Sequence, residues 1–288
     1  MSAGDAVTRS EGSTSPAGRP ALNAADASAV LHQVTRMLGD VYGSSQICHF
    51  LYALAKMHRP ETVVELGAGL GVSTFWLALG MAEVGRGELW AVDDLHGFAH
   101  FRQEALPTVR PRLDELGIAL PPDPTAFDFF GAVSRRLGID GTVHLLESRI
   151  DAGDSTHFGR YPFSDRTIDL LFSDFDSSPA ALLQQLTQLL PRMSDCSSLF
   201  LDTVPTLPAS QYMIDKLFDM LNAGRVPRTM GARLTRDQRD LLLDRRYTVV
   251  HLTYNPQGHQ CGTSWIKIEP HDLFPYPRVP FARPRSRA

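Results

Sequence analysis

A strand, a glycine turn and a helix follow one another without a gap between residues 62 and 84. Residues 62–66 form a short apolar run that contains one acid, Glu65, and the next five residues read Gly-Ala-Gly-Leu-Gly. Residues 72–84 are apolar enough to predict a buried helix. The alternate glycines let backbone amides approach a ligand closely, and a helix N-terminus favours polar or negatively charged ligand atoms. The segment therefore predicts a ligand-binding turn inside an α/β domain.

The spacing of Gly67, Gly69 and Gly71 separates this turn from the best-known glycine-rich pattern. A dinucleotide-binding turn reads GxGxxG and seats a pyrophosphate, whereas this chain reads GxGxG. Glu65 stands two residues ahead of the first glycine, where its carboxylate would repel a diphosphate but suits a ligand that carries positive charge. A tight turn without any ligand is the alternative for the same glycines.

Short apolar runs alternate with helical stretches along the rest of the chain. This alternation predicts a mostly parallel sheet that is covered by helices on both faces. Only a short segment separates the last two runs, so we expect them to pair antiparallel. The expected fold class is α/β, a seven-stranded, mostly parallel Rossmann-like sheet with an antiparallel last strand. The predicted strands are residues 62–66, 88–92, 142–146, 168–173, 198–201, 247–253 and 263–268, and the later predicted helices are residues 179–190, 209–222 and 235–245.

Composition divides the chain into regions. Residues 1–25, rich in Ser, Gly, Ala and Pro, predict a disordered leader, and residues 26–60 predict two N-terminal helices. Residues 61–269 form the predicted α/β domain. Within it, residues 95–140 break the rhythm with a proline-rich loop and one helical part, which we interpret as a lid, with a solvated insertion as the alternative. Residues 270–288 predict an extended tail rich in Pro and Arg.

Composition and charge exclude several classes of protein. Hydrophobic residues make up 43% of the chain and charged residues 21%, which excludes a globally disordered chain. The formal net charge of −4 provides no basic field for nucleic acid or anionic lipid. Residues 66–82 are uncharged but too short for a membrane span. Cys48, Cys196 and Cys261 lie too far apart for a disulfide framework or a CxxC metal site, so we expect a cytoplasmic protein with no membrane and no nucleic-acid partner.

The second predicted strand ends in two acids, Asp93 and Asp94. Together with the acid-x-Gly-x-Gly-x-Gly turn, this pattern resembles the class I S-adenosylmethionine-dependent methyltransferases, in particular a bacterial type that acts on small molecules. The resemblance implies S-adenosyl-L-methionine as the cofactor. It also implies that Asp93, or alternatively Asp94, accepts hydrogen bonds from both ribose hydroxyls. The cofactor-binding residues that it implies are Glu65, Gly67, Ala68, Gly69, Ser73, Asp93, Asp94, Ser148, Arg149 and Asp174.

The fourth and fifth predicted strands end in Asp174 and Asp202. Ligands bind at the carboxyl ends of strands in open α/β sheets, and the resemblance implies that one of these acids positions or deprotonates the acceptor. Helix capping is the alternative for either acid. Ser177 and Leu201 stand where the bacterial relatives carry histidines.

The same two aspartates raise the question of a metal ion. Catechol-type relatives hold a divalent ion with an aspartate after the fourth strand and an aspartate-asparagine pair after the fifth. Here Thr203 replaces the asparagine. We therefore expect no metal, with magnesium held by Asp174 and Asp202 as the alternative.

The predicted function is transfer of the methyl group of S-adenosylmethionine to a small-molecule acceptor. One alternative is an enzyme of the same fold that uses the cofactor differently, for instance by cyclising its aminobutyl arm. Another is a protein that binds the cofactor without turnover. The two N-terminal helices are candidates for covering the cofactor or for the contact of a homodimer.

Overall fold

A seven-stranded sheet with the order β3-β2-β1-β4-β5-β7-β6 runs through the molecule. The computed structural model describes residues 22–42, 46–151, 153–154, 156–253 and 262–271. Strands β1 to β5 pair in parallel, and β7 pairs antiparallel with both β5 and β6. The predicted α/β fold class is confirmed. The strands are β1 (Thr62–Leu66), β2 (Glu88–Asp93), β3 (Val143–Glu147), β4 (Ile168–Ser173), β5 (Met193–Asp202), β6 (Arg245–Thr253) and β7 (Gly262–Pro270).

Helices cover both faces of the sheet. Leu51, Phe75 and Phe129 belong to the core on one face, whereas Leu186 and Phe218 belong to the core on the other. None of the described helices is long and apolar enough to cross a membrane. The helices are α1 (Ala24–Tyr42), α2 (Gln46–His58), α3 (Val72–Val84), α4 (His96–Glu104), α5 (Leu106–Glu115), α6 (Ala126–Leu137), α7 (Pro179–Leu189), α8 (Pro208–Asn222), α9 (Arg228–Gly231) and α10 (Arg236–Leu243).

The N-terminal helices α1 and α2 pack on α3 and share its core. The indole Nε1 of Trp76 in α3 donates to Oγ1 of Thr35 in α1 at 2.8 Å. Gly80 lets α2 come close, because a Cβ at this position would lie 2.6 Å from the carbonyl oxygen of Tyr52. Helix α1 begins at Ala24, inside the predicted leader, and residues 1–21 lie outside the described part of the chain.

The predicted proline-rich loop is wrong for residues 106–115, which form helix α5. Pro107 occupies the first turn, where a backbone N–H has no partner inside the helix in any case. Pro111 lies inside the helix and forgoes the bond to the carbonyl of residue 107. Tertiary packing outweighs this local cost, because Leu106 and Leu113 are buried.

The inner face of residues 95–140 belongs to the main core. Phe98 and Phe101 of α4 and Phe129 of α6 are all buried, and their ring centroids lie 5.7 to 5.9 Å apart. A solvated insertion is therefore the wrong interpretation of this segment. Movement of the segment as a lid stays a prediction.

Two predicted boundaries shift because of one buried arginine. Strand β5 begins at Met193, five residues before the predicted start, and β6 begins at Arg245, inside the predicted helix 235–245. The Arg245 guanidinium donates to the carbonyl oxygens of Leu190 and Met193 and to the Asp195 carboxylate. These bonds bring the two strand ends together. The segment 254–261 between β6 and β7, and the tail from residue 272 on, lie outside the described residues.

Candidate functional site

The glycine turn joins β1 to α3, and its glycines do different things. Gly67 and Gly69 both have positive φ, at 86° and 55°. A Cβ on Gly67 would lie 2.2 Å from the carbonyl oxygen of Asp174, so this glycine allows the ends of β1 and β4 to approach each other. A Cβ on Gly69 would meet nothing within 4 Å and would point into open space. Ala68 between them is buried.

Asp93 at the end of β2 is held by two backbone amides. Its Oδ2 accepts from the Gly69 N–H at 2.9 Å, and its Oδ1 accepts from the Leu95 N–H at 2.6 Å. Leu95 adopts φ 59°, which is unusual for a residue with a side chain. Burial raises the pKa of the half-buried Asp93, although the two amides oppose this shift. Each carboxylate oxygen keeps acceptor capacity for a further donor.

Asp94 stands apart from this arrangement. Its side chain is exposed, and its Oδ1 accepts from the backbone N–H of His96 at 3.0 Å, at the start of α4. The structure therefore favours Asp93 over Asp94 as the acid that faces the turn.

Glu65 is fully buried on the face of β1 that α3 covers. Its carboxylate accepts from the hydroxyls of Ser73 and Thr74, each at 2.5 Å, in the first turn of α3. Burial raises the pKa of Glu65 to about 7, against the opposing effect of the two hydroxyls. Cys48 of α2 lies near enough that the Glu65 and Asp202 carboxylates add to the effect of burial in raising the pKa of its thiol.

The end of β3 lies beside Asp93. The backbone N–H of Ser148 donates to the Asp93 carbonyl oxygen at 2.8 Å, so the half-buried Ser148 side chain lies next to the end of β2. Its Oγ is 3.0 Å from the Tyr161 hydroxyl. Arg149, the next residue, is exposed.

A cleft of about 840 Å³ opens at the ends of β4 and β5. Residues 174–179 line one side, and Thr203 with residues 207–210 lines the other. Asp174 therefore faces the cleft, at the position where parallel sheets bind ligands. Thr203 adopts φ 65°, so a second strand end carries a left-handed residue that has a side chain.

Asp202 lies deeper than the cleft and does not line it. It is 3% exposed, and its carboxylate accepts from the hydroxyls of Thr263 in β7 and, at 3.4 Å, of Thr203. Its backbone carbonyl accepts from the Ser177 hydroxyl at 2.9 Å. The structure thus brings Asp174, but not Asp202, to the cleft. Among the described residues, no group of three or more His, Cys, Asp or Glu side chains is placed to hold a metal ion.

Residues 64–204 match the family model described as a methyltransferase domain. The matched segment begins in β1 and ends after β5, so it contains the glycine turn and the strand ends that carry Asp93, Asp174 and Asp202. The match and the seven-stranded sheet are those expected of a class I methyltransferase. The family and the enzyme class predicted from the sequence are confirmed.

Two solved methyltransferase structures are similar to this chain, at low sequence identity. The O-methyltransferase TomG from Streptomyces achromogenes, solved with SAM, is 17% identical, with 83% of this chain and 89% of that chain covered and a TM-score of 0.49. An O-methyltransferase from Bacillus cereus, solved with SAH, is 14% identical, with coverages of 85% and 91% and a TM-score of 0.48. No curated protein matches the chain significantly. At these identities, neither structure assigns a ligand or an acceptor to this methyltransferase.

Several residues lie around the site of this methyltransferase although nothing in the sequence predicts that they do. Leu95 and Thr203 adopt left-handed backbone conformations, which their residue types do not predict. Cys48 and Thr263 reach the buried acids from α2 and β7, far from the motifs. Because successive side chains of a strand point to opposite faces of the sheet, the predicted strand β7 does indicate that Thr263 and Ser264 face opposite sides.

Glu65 makes the stability of this methyltransferase depend on pH. The unfolded chain ionises Glu65 near its ordinary pKa of 4.5, whereas the folded chain holds the proton until about pH 7. The unfolded state loses its proton first, so the free energy of unfolding falls as the pH rises between these values. We expect a fall of roughly 3 kcal/mol relative to Glu65→Gln, which has no titrating group at this position. Urea unfolding of both proteins between pH 4.5 and 8 measures it, and parallel profiles would contradict the assignment.

Proposed function

We propose that this methyltransferase transfers the methyl group of S-adenosylmethionine to a small-molecule acceptor that is uncharged or cationic. The observation that supports the cofactor most directly is the Asp93 carboxylate. The amides of Gly69 and Leu95 fix both of its oxygens and leave acceptor capacity for two ribose hydroxyls. The open space in front of Gly69 lies beside this carboxylate.

The residues around the turn fit a cationic ligand. S-adenosylmethionine supplies an electrophilic methyl group on a positively charged sulfonium. Glu65 brings a carboxylate beneath the turn, and a neighbouring positive charge favours its ionised form. Asp93 holds the ribose, Ser148 lies next to it, and Gly67, Ala68 and Gly69 bring the backbone close. Ser73 contributes indirectly, because its hydroxyl orients Glu65.

The cleft at Asp174 supports the proposed class of acceptor. Its described lining contains the carboxylates of Asp174 and Asp176 and apolar side chains such as Phe175 and Leu207. None of the described lining residues is Lys, Arg or His, so a carboxylate or phosphate on the acceptor would meet two carboxylates and no positively charged side chain there. In this proposal Asp174 orients the acceptor or takes its proton, and the walls exclude water.

Product analysis tests the proposal. The purified chain is incubated with S-adenosylmethionine and one of three ring-matched acceptors: a neutral catechol, a catecholamine or a catechol carboxylate. We expect S-adenosylhomocysteine and a methylated product with the first two. Methylthioadenosine as the product would instead indicate cyclisation of the aminobutyl arm. Binding of NAD without binding of S-adenosylmethionine would contradict the cofactor, and turnover of the carboxylate alone would contradict the acceptor class.

Asp93→Ala is expected to weaken S-adenosylmethionine binding by about 1.5–3 kcal/mol, the usual contribution of a hydrogen bond to a charged group. Asp94→Ala is the matched control, because this neighbouring carboxylate is exposed and accepts from the N–H of His96. Isothermal titration calorimetry measures both affinities. An unchanged dissociation constant for Asp93→Ala, with a loss for Asp94→Ala, would transfer the ribose contact to Asp94.

The remaining expectations are not decided by these contacts. A cytoplasmic location, a homodimer formed through the N-terminal helices, and the lack of nucleic-acid and metal partners stay predictions.

A further inference from the structure

A cavity of about 460 Å³ lies at the edge of the sheet that β3 forms. Residues 143–146 of β3 line it, together with side chains of α6. Phe130 of α6 belongs to the core on one face of the sheet, whereas Trp90 of β2 belongs to the core on the other, so the cavity crosses the sheet edge. It shares no described lining residue with the cleft at the ends of β4 and β5.

Two nitrogen atoms in residues that line this cavity lack a hydrogen-bond partner within the described part of the chain. Trp90 is 9% exposed, and its indole Nε1 carries a hydrogen that no described acceptor receives. Nε2 of His144 has no hydrogen-bond partner either, and it lies 3.5 Å from the Glu88 carboxylate. The His144 ring stacks on the indole, with ring centroids 4.2 Å apart and 20° between the planes. A buried N–H without an acceptor is rare in folded proteins, because it loses its bond to water without a replacement.

The rest of the wall defines the kind of molecule that fits. Phe127, Phe130 and Pro162 add apolar surface to that of Trp90, and cavities of this size and lining hold small ligands. Asp140 lines the cavity, whereas no described lining residue is Lys or Arg, so an anionic ligand is disfavoured. A flat, uncharged aromatic molecule with a hydrogen-bond acceptor suits the apolar walls, the acid and the indole donor.

We propose that the cavity at the edge of β3 binds a flat, uncharged aromatic molecule, and that a carbonyl oxygen of this molecule accepts a hydrogen bond from Trp90. Nε1 is closed off from solvent, so the indole tilts toward the cavity when the ligand binds. The ligand gives this donor an acceptor, and its apolar faces pack on the aromatic wall. The proposal is independent of the proposed function, because the cavity uses neither Asp93 nor Asp174.

Two probes of the same shape test the hydrogen bond. 2-Acetylnaphthalene carries a carbonyl oxygen, and 2-isopropenylnaphthalene carries a methylene group in its place. Equilibrium dialysis measures both dissociation constants, and their ratio isolates the effect of the acceptor. We expect Trp90→Phe, which keeps an aromatic ring but removes the donor, to reduce the preference for the ketone by about fivefold. Trp265→Phe is the matched control, because the indole N–H of Trp265 already donates to Oγ of Ser198 at 3.1 Å. This variant should keep the original preference.

Substitution of Gly131 tests the cavity itself, including the case in which Trp90→Phe does not fold. Gly131 lies in α6 and lines the cavity, and a Cβ built on it would come close only to the flexible Arg135 guanidinium, at 3.2 Å. Gly131→Leu adds a large side chain to the wall and should weaken the binding of both probes at least about tenfold. Gly131→Ala is the matched control, because it also improves helix propensity but adds only a methyl group. It should retain most of the binding.

Circular dichroism shows whether each variant is folded. Undetectable binding of the ketone at its solubility limit, an unchanged ratio in Trp90→Phe, or full binding in Gly131→Leu would overturn the inference. Displacement of the ketone by S-adenosylhomocysteine would also overturn it, because the probe would then occupy the site of the proposed function. Failure of the unaltered protein to bind S-adenosylhomocysteine would overturn the proposed function alone.

Discussion

Replacing Gly69 by valine is expected to abolish S-adenosylmethionine binding while the protein stays folded. Gly69 has φ +55°, and a side chain built on it meets nothing within 4 Å, so valine would extend into the space in front of the turn. A β-branched side chain there blocks the approach of a ligand to the backbone. We expect the dissociation constant to rise at least about 100-fold, as measured by calorimetry.

Gly85→Val is the matched control for this substitution. Gly85 ends α3, also has positive φ, and also has open space around its Cβ position. Valine in the left-handed conformation costs about 1–2 kcal/mol at either glycine, so urea unfolding should show similar losses of stability. Only Gly69→Val should lose the ligand. Retained binding would place the cofactor away from the turn.

Replacing Gly67 by alanine is expected to cause a large loss of stability, in contrast to the loss of binding expected at Gly69. The added Cβ would lie 2.2 Å from the carbonyl oxygen of Asp174 and 2.8 Å from its carbonyl carbon. Both atoms belong to the backbone, so the ends of β1 and β4 must separate to make room. Overpacking and the left-handed φ together should lower the free energy of unfolding by about 2–5 kcal/mol, as measured in urea.

Gly85→Ala isolates the backbone part of that loss. It introduces the same residue at positive φ, but nothing lies within 4 Å of the new Cβ. We expect a cost of about 1–2 kcal/mol for this variant. Equal losses for the two alanines would mean that the contact between Gly67 and Asp174 relaxes freely, contrary to the arrangement described above.

The strand, turn and helix at residues 62–84 were predictable because their signals are local. Strand β1 and helix α3 have the bounds that the sequence predicts, Thr62–Leu66 and Val72–Val84. The apolar runs, the glycines and the helical spacing all indicate the same structure there. The order of the strands in the sheet does not follow from such local signals. The resemblance to the family implies it, and the strand pairs of the structure establish it.

Local signals failed where distant contacts decide the backbone. Pro111 suggests a loop, yet its helix persists because Leu106 and Leu113 are buried in the core. Arg245 suggests a helix end on the surface, yet its guanidinium is buried among carbonyls of the segment before β5. The core residues that cover Leu106 and Leu113, and the carbonyl groups that bind Arg245, lie far away in the sequence. Local propensities therefore carry no information about them.

The candidate site shows the same division. The sequence placed acids at the ends of β2, β4 and β5, but it left Asp93 and Asp94 as alternatives because adjacent residues share every local signal. Burial and the amide of Gly69 separate them in the structure. The contact of Tyr161 with Ser148 at the end of β3 was missed altogether, because the two residues share no recognised motif.

Strand β7 is the last of the described strands along the chain, yet it lies between β5 and β6. During synthesis on a ribosome, β5 must therefore wait with an unpaired edge, and β6 has no described strand to join until β7 emerges. Asp202 gains the hydroxyl of Thr263 only at this step. The buried acid beside the site thus receives this partner only after residues 64–204 have been made.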